Sequence, residues 1–265
     1  MGEARQRDRS VGVCIYCGAT AGLTREHVLP YGLGGDLVLK DASCPECSKE
    51  TSKLELRLLR GHWWPYRQFL GLPSRRAGEV VPDLNVTVKR ADGTEIAARL
   101  PMVKQSVAMV FELDPPSVLE GVMREDEPNA PRMYMRQLAT PPSVVQVGEN
   151  EYKLKSDDKL EIPINFGAAD LCRFLAKVAH GYLISRKGLQ ACSTFLLPPL
   201  ILGRTAGAQS FVGGNSSHLI GPRLPGGGLH AMMDRVNNGY RTVYVQLFRD
   251  RGSPPPIYEV VVGKV

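Results

Sequence analysis

The chain has 265 residues, 43% of them hydrophobic and 23% charged, which is enough for one large domain or for a small module joined to a larger one. No run of about 18 uncharged apolar residues occurs, and the first ten residues are polar and arginine-rich, so we expect neither a membrane span nor a signal peptide but a soluble, cytoplasmic protein. The net charge is +6, and residues 1–76 hold 12 lysines and arginines against 8 acidic residues, which favours a basic N-terminal face.

The N-terminal part has a compact pattern of short elements. Residues 1–12 are predicted to be a basic disordered tail. Residues 13–76 are predicted to form a module in which a cysteine-bearing turn, a short strand, a glycine-rich turn and a second short strand lead into a helix. Good helix formers and leucines at near-helical spacing predict that helix over residues 45–60, and Gly61 follows as a stop. An aromatic and basic bridge then runs to a break near residues 73–82.

Residues 77–265 are predicted to be a separate α+β domain of unknown role, mixed and largely antiparallel, with one long helix. Strand-like runs flank Asp92-Gly93, which is a strong hairpin signal. Apolar residues on one face predict the long helix from about residue 168 to 186. A closing hairpin is predicted between residues 240–248 and 257–263.

Three further stretches of this second part complete the prediction. Residues 107–113 are a candidate strand, and residues 115–142 are predicted to be irregular. Residues 210–228 are glycine-rich without the pattern of a phosphate-binding loop, so a flexible surface loop is predicted there. The expected fold class is therefore α+β.

The cysteines are unevenly distributed. Four of the six lie within 34 positions as two pairs, each with two intervening residues: Cys14, Cys17, Cys44 and Cys47. Paired cysteines in a chain with no export signal indicate a closed, structural Zn²⁺ site, and unpaired thiols in a reducing compartment are the alternative. Cys172 and Cys192 lie among apolar residues and are expected to act as small hydrophobic side chains.

The segment between the cysteine pairs, LTREHVLPYGLGG, places Glu26-His27 ahead of Pro30 and a Gly-Gly turn. From residue 13 to about 60, this succession of cysteine pairs, Glu-His, glycine turn and helix resembles the HNH endonuclease family. The resemblance implies a ββα-metal fold that cuts nucleic acid, with DNA as the expected substrate. It also implies that Glu26 binds a catalytic Mg²⁺ or Mn²⁺, that His27 is the general base, and that the residue after the last cysteine, here Ser48, is a further metal ligand.

The chemistry of these side chains agrees with that reading independently. Hydrolysis of a phosphodiester needs a base that titrates near neutral pH and a hard cation, which a histidine and a carboxylate can provide. Neighbouring side chains of a strand point to opposite faces, so Glu26 and His27 can share one site only at a strand end or a bulge. A histidine satisfied structurally near the cysteines is the alternative for His27.

One position departs from the family pattern. The family usually has asparagine where this chain has Ser48, and serine is a shorter and poorer metal ligand. Glu50 and Glu55, farther along the helix, are candidates to supply the missing oxygen directly or through water, although for each of them separately a solvated helix face is the better explanation. Of acidic or amide residues between His27 and the helix, only Asp36 and Asp41 are present. Either the site is rebuilt, or the module has kept its fold and lost cleavage.

Five cations flank or share the helix and are candidate phosphate contacts: Arg25, Lys49, Lys53, Arg57 and Arg60. An ordinary solvated helix face is the alternative. Trp63, Trp64 and Tyr66 are expected in a hydrophobic seam, with stacking on unpaired bases as the alternative.

The remaining histidines join no recognisable triad. His180 is expected in the core or at its rim, and His218 and His230 in flexible polar surroundings, while His62 has no assigned role.

Three hypotheses follow from the sequence. The first is a metal-dependent HNH endonuclease, and the second is a zinc-stabilised nucleic-acid-binding or adaptor protein that does not cut. The third is a structural zinc ribbon that holds a partner-binding α+β domain. The sequence leaves the oligomeric state, and the choice between DNA and RNA, open.

Overall fold

The computed structural model describes residues 10–61, 63–74, 78, 80, 82–101, 109–124, 133–137, 143–161, 167–214, 228–249 and 255–265. Within these ranges the chain is mixed α+β, with antiparallel sheets and one long helix, as the sequence predicts. No helix among the described residues has both the length and the apolar character that crossing a membrane requires.

The N-terminal elements form a ββα arrangement. Strand β1 (Thr24–His27) pairs antiparallel with β2 (Val38–Ser43), and the turn between them contains a 3-10 helix, Tyr31–Leu33. Helix α1 (Pro45–Arg60) begins directly after β2, with the proline in its first turn, where a missing N–H costs nothing. It ends at Gly61, so both predicted ends of this helix are confirmed.

Residues 10–12 extend along β2. Ser10 forms a β-bridge with Lys40, and the Val11 and Gly12 amides donate to the carbonyl oxygens of Lys40 and Asp41 at 2.9 and 3.0 Å. The rest of the predicted tail lies outside the described residues. A short helix, α2 (Trp64–Phe69), follows α1.

A second sheet is built from local hairpins. Strands β3 (Leu84–Lys89) and β4 (Glu95–Leu100) pair across the predicted Asp92-Gly93 turn, which confirms that hairpin. Strands β7 (Val144–Val147), β8 (Asn150–Lys153) and β9 (Lys159–Glu161) complete the order β8-β7-β4-β3-β9. The buried side chains of this sheet form a small core, against which Trp64 packs.

The long helix α3 (Ala168–Lys187) confirms the predicted one and packs on the C-terminal sheet. That sheet joins β12 (Ala231–Asn237), β13 (Tyr240–Gln246) and β14 (Ile257–Lys264), which confirms the predicted closing hairpin. β14 also pairs with the short strands β10 (Thr194–Phe195) and β11 (Val212–Gly214). The short helices α4 (Pro198–Ile201) and α5 (Ala208–Phe211) lie between them in the chain.

Two predictions for the second part are wrong within the residues that the structure describes. Residues 115–142 contain the 3-10 helix Ser117–Glu120 and strand β6 (Met133–Gln137), which pairs with β5 (Met109–Leu113). Within 210–228, Val212–Gly214 is a buried strand, because its two glycines allow close backbone approach: a Cβ on Gly214 would lie 2.1 Å from the Leu113 carbonyl oxygen. Residues 215–227 lie outside the described ranges.

One hydrophobic core runs through both predicted parts of the chain. It contains Leu54 and Leu58 of α1, Phe174 of α3, and Val245 and Val260 of the C-terminal sheet. Residues on both sides of the boundary predicted near residue 77 therefore share one core, in which α1 packs against α3.

Candidate metal centre and the adjoining cavity

The four paired cysteines converge at the N-terminus of α1. Their sulfur atoms all lie within 4.8 Å of one another, and the Sγ atoms of Cys17 and Cys44 are 3.6 Å apart. Three of the thiols are buried and Cys17 is exposed. A tetrahedral ion with metal–sulfur bonds of about 2.3 Å needs sulfurs about 3.8 Å apart, so the cluster fits a single ion, consistent with structural zinc.

The surroundings of the cluster favour thiolate at one cysteine. Burial raises the pKa of the Cys14 thiol, but backbone N–H donors at Cys44, Tyr16 and Cys17 outweigh it and lower that pKa to about 7. Burial raises the pKa of Cys47. Among the described residues, the four cysteines are the one group of three or more histidine, cysteine, aspartate or glutamate side chains that lie close enough together to hold an ion. The carboxylates and the imidazole of the cavity described below do not form a second such group.

A cavity of about 870 Å³ adjoins the cluster. Its walls are the end of β1, the turn at residues 30–32, one face of α1, and α2 with the chain that follows it. All of its lining residues fall between Thr24 and Ser74, so the N-terminal elements alone enclose it.

Glu26 and His27 both line this cavity, as a shared site requires. The register of β1 against β2 shifts between Thr24 and Glu26, and His27 is the last residue of β1. A bulge and a strand end thus replace the strict alternation of side chains. Glu26 is 5% exposed, and His27 is half-buried.

Lys177 of α3 contacts this site, although it does not line the cavity. Its side chain is fully buried, and Nζ lies 2.9 Å from Glu26 Oε1 and 2.7 Å from Glu55 Oε1. The same ammonium donates to the carbonyl oxygens of His27 and Val28. One cation therefore holds the two carboxylates of the cavity and the backbone at the end of β1.

The charge of Lys177 is maintained by these contacts. Burial alone lowers the pKa of a lysine, but Glu26 and Glu55 outweigh it, and the pKa of Lys177 is raised above its ordinary value. The triad of two carboxylates and one ammonium keeps one net negative charge.

Tyr16 adds a second donor to Glu26. Its hydroxyl lies 3.1 Å from Glu26 Oε1, the same oxygen that contacts Lys177. Burial raises the pKa of Tyr16 well above its usual value, and the Glu26 carboxylate adds to the effect, so Tyr16 stays a neutral donor. Neither contact engages Glu26 Oε2.

Helix α1 turns a polar face to the cavity. Ser48, Thr51, Ser52 and Glu55 follow at helical spacing and line it. Glu50 does not line the cavity; it pairs with Lys53 at 2.8 Å on the exposed side. Of the two glutamates considered as replacements for the missing ligand, the cavity includes Glu55.

The five candidate phosphate contacts separate into two groups. Arg25 and Arg60 line the cavity, whereas Lys49, Lys53 and Arg57 do not. The Arg57 guanidinium makes a two-pronged ion pair with Asp170 of α3, with both N···O distances 2.7 Å. Arg57 thus ties α1 to α3.

The aromatic residues of the bridge separate in the same way. Trp63 and Tyr66 are buried, and their rings contact Phe248 at centroid distances of 5.7 and 5.1 Å, which confirms the hydrophobic seam for this pair. Trp64 is half-buried, packs against the small core of the second sheet and also lines the cavity. Beside it, the buried Arg67 guanidinium donates to the carbonyl oxygens of Gly32, Leu59 and Pro73 and thereby fixes the cavity wall.

The other described histidines and cysteines do not line the cavity. His180 is buried, its Nε2 is 2.7 Å from the Ile15 carbonyl oxygen, and burial lowers its pKa to about 4. The flexible surroundings predicted for His230 are wrong, because its Nε2 is 2.9 Å from the Leu33 carbonyl oxygen and its ring contacts Phe248. Cys172 and Cys192 are buried, as expected. His62 and His218 lie outside the described residues.

Sequence reasoning missed Lys177, Tyr16 and Arg67. A lysine or an arginine in an amphipathic helix normally reaches water, so nothing local marks these two as buried. Tyr16 lies between the first two cysteines, and no local pattern links its hydroxyl to Glu26.

In comparisons with known proteins, the chain matches no family model, no curated protein and no solved structure.

Proposed function

We propose that this protein is a metal-dependent endonuclease of the HNH kind, which hydrolyses phosphodiester bonds in nucleic acid. The observation that carries the proposal is the meeting of Glu26 and His27, at the bulged end of β1, with the polar face of α1 in one cavity beside a four-cysteine cluster. The sequence pattern that resembles the HNH family covers the same elements.

In this proposal His27 is the general base. A histidine ring takes a proton from water near neutral pH, and His27 is half-buried at the cavity wall, where a water and a phosphate can both reach it. The Lys177 ammonium holds the His27 carbonyl oxygen and thereby fixes the backbone that carries the ring.

The donors in the cavity suit a hard divalent cation. They are the Glu26 and Glu55 carboxylates and the hydroxyls of Ser48, Thr51 and Ser52, and Mg²⁺ commonly rests on one or two carboxylates plus water and substrate phosphate. When bound, such an ion polarises the phosphate and stabilises the leaving oxygen. Glu26 would hold it through Oε2, since Oε1 already accepts from Lys177 and Tyr16.

The remaining parts of the site have supporting roles. Arg25 and Arg60 at the cavity wall would bind backbone phosphates without reading sequence. The four cysteines would hold a structural Zn²⁺ that pins the N-terminal turn to the start of α1.

The contacts of Lys177 favour a second candidate, a zinc-stabilised protein that binds nucleic acid without cutting it. The ammonium already neutralises half of the carboxylate charge that a divalent ion would use. With Ser48 in place of asparagine, the cavity would then bind phosphates but not activate water.

The experiment that separates the two candidates is cleavage of plasmid, single-stranded DNA and RNA by zinc-loaded protein, with Mg²⁺, with Mn²⁺ and without added metal. The endonuclease proposal predicts metal-dependent cleavage that His27→Ala and Glu26→Gln abolish. Glu50→Gln is the matched control, because Glu50 lies on the outer face of α1 and its removal should leave cleavage unchanged. Salt-sensitive binding with no cleavage of any substrate by folded protein would support the second candidate instead.

A further inference from the structure

The two ends of the cavity differ in chemistry. At one end lie Glu26 and His27. Ser48 lines the cavity near the start of α1, and Glu26 is linked through Lys177 to Glu55, farther along the same helix. The other end is lined by apolar side chains of α1 and of the segment that follows it, Leu56, Leu59, Trp64, Leu72 and Pro73, together with the Gln68 amide. A site that contacted only a phosphate backbone would not need apolar side chains at this end.

The two neighbouring tryptophans have different surroundings. Trp63 is 5% exposed, and its ring packs edge-on against Phe174 and Phe248 in the core. Trp64 is half-buried and reaches the cavity wall, next to the polar amide of Gln68 on the same helix. An aromatic face with an adjacent amide matches a nucleobase, which has a flat π-surface and hydrogen-bonding edges.

We infer that the cavity takes one unpaired nucleotide of a single-stranded nucleic acid, with its base at the Trp64 end. The inference rests on the proposed function and names its substrate class. A volume of about 870 Å³ is that of a small-molecule site and is large enough for one nucleotide. A paired base would first have to be unstacked and extruded, whereas a base of a single strand enters directly.

The charges around the cavity agree with this placement. Arg60 lines the cavity at the last residue of α1, one turn after Leu56 and shortly before α2, where a phosphate linked to a base at Trp64 would need a cation. Arg25 lies at the catalytic end, beside Glu26. The strand would then run from the Trp64 end towards His27, which places a phosphodiester next to the proposed base.

The fluorescence of the protein offers a direct test, because the chain has only two tryptophans. Full-length His27→Ala protein, loaded with zinc and free of added Mg²⁺, is titrated with an oligothymidylate, with single-stranded RNA of equal length and with duplex DNA. A further Trp63→Phe change leaves Trp64 as the sole emitter. Saturable quenching by a single strand, at least tenfold tighter than by duplex, is the expected result.

Substitutions complete the test. Trp64→Leu, measured by anisotropy of a labelled strand, should weaken binding of single strands about tenfold, the usual loss for one base-stacking ring. Phe69→Leu is the matched control, since Phe69 belongs to the same helix but does not line the cavity. If Trp64→Leu fails to fold, Gln68→Ala should weaken the same binding with less disturbance.

The outcomes distinguish the inference from the proposed function. Equal binding of duplex and single strands, no quenching of Trp64, or unchanged affinity in Trp64→Leu overturns the inference even if the protein cleaves DNA. Saturable, Trp64-dependent binding of single strands by a wild-type protein that cleaves nothing supports the inference and overturns the endonuclease.

Discussion

The Lys177 ammonium lies 2.9 Å from the Glu26 carboxylate although the two residues come from opposite parts of the chain. Lys177 belongs to α3, and Glu26 to the strand that opens the cavity. Glu55 completes the contact at 2.7 Å from α1. The cavity thus depends on a residue far outside the elements that enclose it.

Removal of that ammonium should destabilise the whole fold. In Lys177→Met, the buried Glu26 carboxylate and the partly exposed Glu55 carboxylate lose their cation, and leaving a buried charge unpaired costs about 3–5 kcal/mol. The free energy of unfolding, measured by urea titration at pH 7, should fall by that amount. Lys187→Met is the matched control on the same helix, because Lys187 is 41% exposed and 3.5 Å from Asp234, and such pairs contribute under about 1 kcal/mol. Equal losses in the two variants would contradict the buried triad.

The zinc content of the protein should depend on the four cysteines of the cluster alone. We expect purified protein to hold about one zinc per chain, since four thiolates complete a tetrahedral site. Cys44→Ser should lose the metal and the folded N-terminal elements, whereas Cys192→Ala should retain both, as measured by elemental analysis and circular dichroism. Stoichiometric zinc in Cys44→Ser would place the ion elsewhere.

The elements that sequence alone could predict are those with local signals. Periodic leucines and a terminal glycine gave both ends of α1, and the Asp-Gly turn gave the β3–β4 hairpin. Paired cysteines gave the metal cluster for the same reason, because the ligands of each pair are neighbours in the chain.

The features that escaped prediction depend on long-range contacts. Lys177 is buried only because two carboxylates arrive from other elements. The glycines of β11 led to the prediction of a loop. Because they have no side chains, however, the Gly214 amide can approach the Asp114 carbonyl oxygen and donate to it at 3.0 Å. His230 has apolar and backbone partners from distant segments.

The turn after Pro30 should tolerate no side chain at Gly35. A Cβ there would lie 2.0 Å from the Leu29 carbonyl oxygen, closer than any real contact, so backbone must move. Gly35→Ala should lower the free energy of unfolding by about 2–3 kcal/mol, the usual cost of overpacking. Gly167→Ala is the control, because nothing lies within 4 Å of its added Cβ. A neutral Gly35→Ala would mean that the turn is looser than its geometry indicates.

Stability should fall in weak acid through His230. Burial lowers its pKa to about 4, against about 6.5 in the unfolded chain, so the unfolded state binds the proton first as the pH drops. The stabilisation from neutral, buried His230 is complete above pH 6.5. It is lost progressively as the pH falls towards 4, and the loss amounts to about 2 kcal/mol at pH 5. Urea titrations of wild type and His230→Gln at pH 7, 6 and 5 should show a smaller decline in the variant. Parallel declines would show that other groups dominate.

Arg25 and Arg57 should have opposite effects on binding and stability. Arg25→Ala should weaken nucleic-acid binding and reduce the slope of log affinity against log salt by about 1, as expected for one lost phosphate contact. Arg57→Ala should leave that slope unchanged, because Arg57 is engaged by Asp170, and should lower stability instead. A salt slope that changes only in Arg57→Ala would reverse this assignment of the cations.

The link between α3 and the cavity also sets the order in which the protein matures during synthesis. While the ribosome is still adding residues before Lys177, Glu26 and Glu55 have no cation between them, and the apolar side of α1 has no helix to cover it. Contacts of such wide sequence separation close late and slowly. The nascent chain therefore completes the contacts of Lys177 with Glu26 and Glu55 only after α3 has emerged, when most of the protein has been made.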